Sequence, residues 1–237
     1  MSASSILVLH NVAKKKNFGD LIRSAAAMGV EEIIVVGAKN LATHGAQGCA
    51  SHVKFSHFLN FKTACAYLRD VRRASLCGVE ITPDAQPVQK HPFKGTTAFL
   101  MGNEGQGLTP QQIEACEQFV YIPQHSDATA SLNVNAACAV VLHHFAMWAA
   151  LPEAPREGYK YLQGPSKQAI AHSGVGLKQM RTLNADGSVL EVTQLRDASG
   201  VEEEAAADGA ADGEEAAAEG GGGLFDAEEA APAAEVR

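Results

Sequence analysis

The sequence predicts an α/β fold with a mainly parallel sheet flanked by helices. Short apolar runs rich in Val, Ile and Leu alternate along the chain with longer segments whose apolar residues recur at helical spacing. Glycine and proline residues punctuate these segments and mark their ends. Alternation of this kind is typical of strand–helix–strand units, in which successive strands run parallel.

The individual elements follow from the same patterns. We predict strands over 5–9, 31–36, 53–59, 76–81, 96–101 and 119–122, and helices over 18–28, 61–73, 110–117 and 132–150. The first strand, SILVL, is a continuous apolar run too short for a helix, which indicates a buried strand. Thr109 and Pro110 suit the N-cap and first position of the third helix, and Gly29 suits the end of the first.

Composition divides the chain into three parts. Residues 1–152 contain the alternating elements and are predicted to form the main domain, whereas 153–195 are polar, punctuated by Gly and Pro, and predicted to be a partly ordered extension. Residues 196–237 carry 13 acidic and two basic residues among Ala and Gly, which predicts a disordered acidic tail. The first 195 residues carry 17 basic and 14 acidic residues, so the folded part is mildly basic although the whole chain has a net charge of −8.

The cysteines and the hydropathy pattern exclude several classes of protein. The five cysteines are odd in number, scattered and never arranged as CxxC, which argues against a disulfide framework and a zinc site. The N-terminus has no signal-peptide pattern, and no apolar run approaches 18 residues. We therefore expect a protein without a bound metal that is cytoplasmic, or nuclear or nucleolar in a eukaryote.

Three polar segments stand at strand ends or helix starts, where α/β proteins bind ligands. They are NFGDLIRSA over 17–25, FLMGNEGQGL over 99–108 and IPQHSDATASLNVNAA over 122–137. The second is neither a dinucleotide fingerprint, because its glycines occur in the reverse order, nor a P-loop, because the GK[ST] ending is missing. An unrelated nucleotide-binding protein is therefore disfavoured.

Most residues in these segments also have a purely structural explanation. Asn17 suits the N-cap of the first helix, and Ser131 suits that of the long last helix. Arg23 falls on the helix face away from the apolar residues, where an arginine is usually a solvated charge. Glu104, a carboxylate among glycines with no cationic neighbour in sequence, is harder to explain in this way.

Taken together and in this order, N-x-G-x-x-x-R-x-A, G-x-E-x-x-G and I-P-(loop)-S-L-N-V-x-x-A resemble the motifs of the SpoU (TrmH-like) RNA 2′-O-ribose methyltransferases of the SPOUT superfamily. The resemblance extends over residues 5–150. It implies S-adenosyl-L-methionine as cofactor, a deep trefoil knot made by the second and third segments, and a homodimer with active sites at the subunit interface.

The resemblance also implies roles for individual residues. The ribose and phosphate site, with the catalytic residues, would comprise Asn17, Arg23, Glu104, Ser131 and Asn133. The cofactor would be cradled by backbone at Leu100, Met101, Gly102, Asn103, Ile122, Pro123 and Leu132. The basic run Lys14, Lys15 and Lys16 would hold RNA phosphates, with a solvated loop as the alternative.

The role of Arg23 leaves two mechanisms open. Such arginines are often described as the general base, but a guanidinium effectively never loses its proton. Clamping a phosphate and stabilising the alkoxide is the easier role, unless the site lowers the pKa of this guanidinium greatly.

One departure from the family pattern concerns the third segment. The family motif I-P-M-x-G is followed by three residues and Ser, whereas here Gln124 replaces Met, no glycine follows, and the stretch between Pro123 and Ser131 is one residue longer. This difference leaves the conformation of the Gln124–Ala130 loop, and its effect on cofactor binding, open.

The motifs do not identify the target RNA. We expect a tRNA methyltransferase, with rRNA as the alternative target. A non-catalytic RNA-binding relative of the same fold is a further alternative, disfavoured because all five catalytic positions are present.

Overall fold

The computed structural model describes residues 3–10, 15–37, 48–103, 106–165 and 179–194. The strands are β1 (Ser5–His10), β2 (Glu32–Val36), β3 (Lys54–Phe58), β4 (Ser75–Val79), β5 (Gln86–Pro87), β6 (Thr97–Met101), β7 (Gln118–Tyr121), β8 (Arg156–Glu157), β9 (Lys160–Tyr161), β10 (Gln179–Leu183) and β11 (Val189–Gln194). The helices are α1 (Lys15–Ala27), α2 (Phe61–Ala66), α3 (Pro110–Ala115) and α4 (Val134–Trp148). A π-helical turn, Tyr67–Val71, follows α2 directly.

Nine of these strands form one sheet, in the order β11-β10-β3-β2-β1-β6-β4-β7-β5. Every pairing in it is parallel except that between β10 and β11. The prediction of an α/β fold with a mainly parallel sheet is therefore confirmed. Because the strands run parallel, the carboxyl ends of β6, β4 and β7, which are neighbours in the sheet, meet at one edge.

Helices pack on both faces of the sheet. Successive side chains of β1 point to opposite faces, and those on both faces are buried. Leu7 and Leu9 belong to the core that includes the apolar faces of α1 and α4. Ile6 and Val8 belong to a second core on the opposite face, which includes α2. The central strands are buried on both sides, which explains why their sequences are continuously apolar rather than alternating.

Local sequence sets the helix ends only in part. Gly29, two residues after the last residue of α1, has a φ of +73°, and Thr109 caps α3, as the sequence predicts. The Gln112 side chain completes a capping box there, which was not predicted. Two predicted caps are wrong. The first helix begins at Lys15, so Asn17 lies within its first turn, and α4 is capped by Asn133, whose Oδ1 accepts from the backbone N–H of Asn135 at 2.9 Å, rather than by Ser131.

The sequence patterns did not predict β10 and β11, which lie beyond the main alternating region. β10 pairs with β3 through Thr182 and His57. The buried His57 ring connects the two strands, because Nδ1 lies 2.9 Å from Thr182 Oγ1 while Nε2 lies 2.8 Å from the carbonyl oxygen of Gly37. Residues 196–237, the predicted acidic tail, lie outside the described residues. No described helix is long and apolar enough to cross a membrane.

A buried carboxylate at the amino end of β2 connects the sheet to the π-helical turn that follows α2. Glu32 is fully buried and accepts hydrogen bonds from Ser56 Oγ, from Tyr67 OH at 3.2 Å and from Arg72. The Nζ of Lys54 lies 3.0 Å from the same carboxylate. These contacts satisfy the buried charge with two cations and two hydroxyl donors, as burial of a carboxylate requires.

Candidate functional site

A cavity of about 460 Å³, called the main cavity below, lies at the carboxyl ends of β6, β4 and β7. Such a volume is within the usual range for a small-molecule site. The second and third polar segments both contribute to it, together with the end of β4. Its lining consists of Val79, Glu80, Ile81, Met101, Gly102, Asn103, Gly107, Tyr121, Ile122, Gln124, Ser131, Leu132, Asn133, Val134 and Ala137.

The second segment enters the cavity as a tight backbone loop after β6. Asn103 and Gly107 exchange two backbone hydrogen bonds, each 2.9 Å long. A Cβ atom at Gly102 would lie 3.0 Å from the carbonyl carbon of Gly107, so the two arms of the loop are already in close contact. Glu104, the predicted catalytic carboxylate, falls between Asn103 and Gly107 in sequence but lies outside the described residues.

Glu80, which the sequence analysis did not single out, holds this loop against the end of β4. One carboxylate oxygen accepts from the backbone N–H of Ile81 at 3.0 Å, and the other accepts from that of Leu108 at 3.2 Å. The rule that ligands bind at the carboxyl ends of strands could have found Glu80, because it follows β4 directly. The predicted strand over 76–81 placed this position inside a strand instead.

Replacing Gly107 with alanine is expected to weaken ligand binding in this cavity by about tenfold or more. Gly107 has a φ of +65°, and a Cβ atom there would lie 2.3 Å from Glu80 Oε2. The substitution would therefore strain the backbone and displace the carboxylate, at a cost of about 1–3 kcal/mol. Calorimetric titration with S-adenosylhomocysteine measures the loss, and Gly158→Ala is the control.

Gly158 also has a positive φ, +55°, but its Cβ would meet nothing within 4 Å and it does not line the cavity. Gly158→Ala thus shows the effect of alanine at a glycine with positive φ where no neighbouring side chain is displaced. Equal affinity of Gly107→Ala and the unchanged protein would contradict the arrangement described here.

The third segment forms an exposed loop between β7 and α4. Ile122 and Leu132, near the two ends of this loop, line the cavity together with Gln124 and Ser131. Residues 124–132 are also exposed to solvent. Within the loop, the Thr129 hydroxyl donates to the carbonyl oxygen of Ser131 at 2.9 Å. Ser131 and Asn133 of the predicted catalytic set therefore line the same cavity as several of the predicted cofactor-binding residues.

The first segment reaches the third through contact between α1 and α4. The Ser24 hydroxyl donates to Asn135 Oδ1 at 2.8 Å. The neighbouring Arg23 is exposed, as its predicted place on the helix requires, and Asn17 is half-buried. Neither of these two residues lines the cavity, so the structure places the first segment next to the third without bringing Arg23 into the cavity itself.

The predicted RNA-binding lysines fall at the start of α1. Lys15 and Lys16 form its first two positions, but their side chains are not described, and Lys14 lies outside the described residues. Their contact with RNA remains a prediction.

The chemistry available to the described residues favours positioning over covalent catalysis by cysteine. Burial raises the pKa of Cys77, Cys116 and Cys138 to about 12 and that of Cys65 to about 11, so these cysteines remain thiols at neutral pH. No group of three or more His, Cys, Asp or Glu side chains that could hold a metal ion occurs in the described ranges.

Comparison with known families agrees with the motif order. Residues 4–143, more than half of the chain, match the model of the SpoU rRNA Methylase family. The chain belongs to this family. The resemblance inferred from the three segments is thus confirmed, and the match ends within α4.

The chain is similar to curated members named for 23S rRNA. It is 35% identical over 143 residues to the 23S rRNA (guanosine-2′-O-)-methyltransferase RlmB of Acinetobacter baylyi, covering 58% of this chain and 57% of that protein. It is 26% identical over 152 residues to the 23S rRNA (guanosine(2553)-2′-O)-methyltransferase RlmP of Bacillus subtilis, covering 60% of this chain and 58% of that protein. The chain therefore spans somewhat more than half the length of the curated relatives it matches.

Solved structures share the fold at lower identity. The SpoU methyltransferase AviRb from Streptomyces viridochromogenes, in complex with AdoMet, has a TM-score of 0.56 and 22% identity, covering 63% of this chain and 62% of that one. An A. aeolicus TrmH/SpoU tRNA modifying enzyme has a TM-score of 0.54 and 19% identity, covering 62% of this chain and 78% of that one. These likenesses concern the fold.

Proposed function

We propose that this protein transfers a methyl group from S-adenosyl-L-methionine to a ribose 2′-hydroxyl of RNA, with large-subunit rRNA as the target. The observation that carries the proposal is the convergence of the second and third segments on one cavity at the carboxyl ends of β6, β4 and β7. The names of the curated relatives favour rRNA over the tRNA target expected from the motifs alone.

The cavity suits the cofactor because its walls combine apolar surface with closely packed backbone. Met101, Ile122 and Leu132 supply the apolar surface, while Gly102 and Gly107 keep the loop after β6 closed. When bound, the cofactor supplies an electrophilic methyl group on a sulfonium. The protein then has to hold the ribose hydroxyl in line with that methyl group and exclude competing water.

The predicted catalytic residues divide this work between two sides of the site. Ser131 and Asn133 line the cavity, where their polar groups can orient the ribose of the RNA substrate. Arg23 is exposed on the neighbouring helix α1, where a guanidinium can bind the adjacent RNA phosphate in bidentate fashion. As the O–C bond forms, the S–C bond of the sulfonium would break, S-adenosylhomocysteine would leave, and the hydroxyl proton would pass to solvent. The charge that develops on the attacking oxygen would be stabilised electrostatically, without deprotonation of the arginine.

The proposal includes the knotted connection and the homodimer that the family resemblance implies. An exposed Arg23 and an exposed loop over 124–131 are consistent with a site that a second subunit and the RNA complete together. Measuring the molar mass in solution by light scattering would test the dimer separately from the activity.

The target is tested by mapping 2′-O-methylation in rRNA and tRNA from cells with and without the protein. We expect at least one 2′-O-methyl position of large-subunit rRNA to disappear and to return when the unchanged protein is restored. The Arg23→Ala variant, expressed at the same level, should not restore it. Loss of a tRNA position with intact rRNA would replace the proposed target, and two unchanged maps would contradict the proposed function.

A further inference from the structure

Glu80 has a position that its role in holding the loop does not fully explain. It is the only charged residue among the described residues that line the main cavity. Its two oxygens accept from the backbone N–H groups of Ile81, in the segment after β4, and Leu108, in the segment after β6. The carboxylate is therefore fixed in orientation before any ligand binds.

This arrangement leaves acceptor capacity on both oxygens. A carboxylate has about four lone-pair sites, and the contacts described use one on each oxygen. Two fixed oxygens side by side are suited to accept from two neighbouring hydroxyl groups. In other α/β folds, an acidic residue near the carboxyl ends of the strands binds the ribose hydroxyls of a nucleotide in the same way.

We propose that the Glu80 carboxylate accepts hydrogen bonds from the ribose hydroxyls of the cofactor's adenosine part and so makes the site selective for a ribonucleoside. This inference rests on the proposed function, since it assumes that the cavity binds S-adenosylmethionine. Glu80 thereby couples the cofactor to the loop after β6, because the oxygen that binds the Leu108 N–H also faces the ligand.

The experiment is a calorimetric comparison of S-adenosylhomocysteine with its 2′-deoxy and 3′-deoxyribose analogues, on the unchanged protein and on Glu80→Gln. In the unchanged protein, at least one deoxy analogue should bind about tenfold or more weakly, since hydrogen bonds to charged groups contribute about 1.5–3 kcal/mol. Glu80→Gln should bind S-adenosylhomocysteine about tenfold more weakly, with less than about a threefold further loss for the deoxy analogue. The losses of affinity caused by Glu80→Gln and by removal of the ribose hydroxyl should thus be strongly non-additive.

Asp84→Asn is the matched control. Asp84 is an exposed carboxylate on the segment after β4 that does not line this cavity. Its substitution should leave both the affinity and the penalty for the deoxy analogue unchanged.

The outcomes separate the inference from the function on which it rests. A purely structural role of Glu80 would weaken all ligands by the same factor, and such additivity would overturn the inference while leaving the cofactor assignment intact. A loss confined to S-adenosylmethionine, with S-adenosylhomocysteine unaffected, would place the carboxylate beside the sulfonium and would also overturn it. Absence of any S-adenosylhomocysteine binding by the unchanged protein would remove the proposed function, and the inference with it.

Discussion

Replacing Arg23 with alanine is expected to reduce methyl transfer by about 100-fold or more while changing the affinity for the cofactor by no more than a few-fold. Arg23 is exposed on α1 and does not line the cavity that the second and third segments form. We therefore propose that it contacts the RNA and the transition state rather than the adenosine. Single-turnover methyl transfer and calorimetry with S-adenosylhomocysteine measure the two quantities independently.

Arg23→Lys distinguishes the two mechanisms that the sequence leaves open. Lysine keeps the charge but loses the planar bidentate fork, so a phosphate clamp predicts a severe but incomplete loss with an unchanged pH profile. A general base predicts instead that the rate profile moves to lower pH, because lysine loses its proton more readily than arginine. Arg69→Ala is the control, since this exposed arginine pairs only with its neighbour Asp70 among the described contacts. Near-normal transfer by Arg23→Ala would contradict both mechanisms.

Replacing Glu32 with alanine is expected to lower the free energy of unfolding by about 3–5 kcal/mol. The substitution leaves Arg72 and the hydroxyls of Ser56 and Tyr67 without the carboxylate that they contact in the interior. Glu32 lies at the amino end of β2, whereas the cavity lies at the carboxyl ends of the strands. Denaturant titration measures the loss, and folded Glu32→Ala should still bind S-adenosylhomocysteine.

Glu31→Ala is the matched control for this prediction. Glu31 is the preceding residue and also binds Arg72, at 2.7 Å, but its side chain is about half exposed. An exposed ion pair contributes about 1 kcal/mol or less, so this variant should be nearly as stable as the unchanged protein. Equal stability of the two variants would contradict the role assigned to the buried carboxylate.

The strands and helices of the main domain could be predicted because their signals are local. Continuous apolar runs marked β1 and β2, and Thr109 with Pro110 marked the start of α3. The Glu32 contacts could not be predicted, since their partners lie 22–40 residues away in sequence and nothing local distinguishes Glu32 from Glu31. Likewise, β10 is fixed by its pairing with β3 rather than by a pattern of its own.

The candidate site likewise has parts that could be predicted from the sequence and parts that could not. The motif segments were recognisable in sequence because backbone that turns tightly beside a ligand needs glycine, and helix starts need Ser or Asn. Both Ser131 and Asn133 are residue types that suit a helix start, and only the structure shows that Asn133 is the one that caps α4. Only the structure shows, too, that Leu132 between them lines the cavity. Glu80 was missed because the predicted strand over 76–81 placed it inside a strand, whereas β4 ends at Val79. Its contact with the Leu108 N–H depends on strand neighbours in the sheet, which no local pattern reports.

The most direct test of the proposed function is methyl transfer by the purified protein from labelled S-adenosylmethionine to transcribed large-subunit rRNA and, separately, to tRNA. Digestion to nucleosides and mass spectrometry then show which atom carries the label. The account predicts label in a 2′-O-methylnucleoside of the rRNA, lost in Arg23→Ala. Label on a base, or no label in either RNA from a preparation that binds S-adenosylhomocysteine, would contradict it.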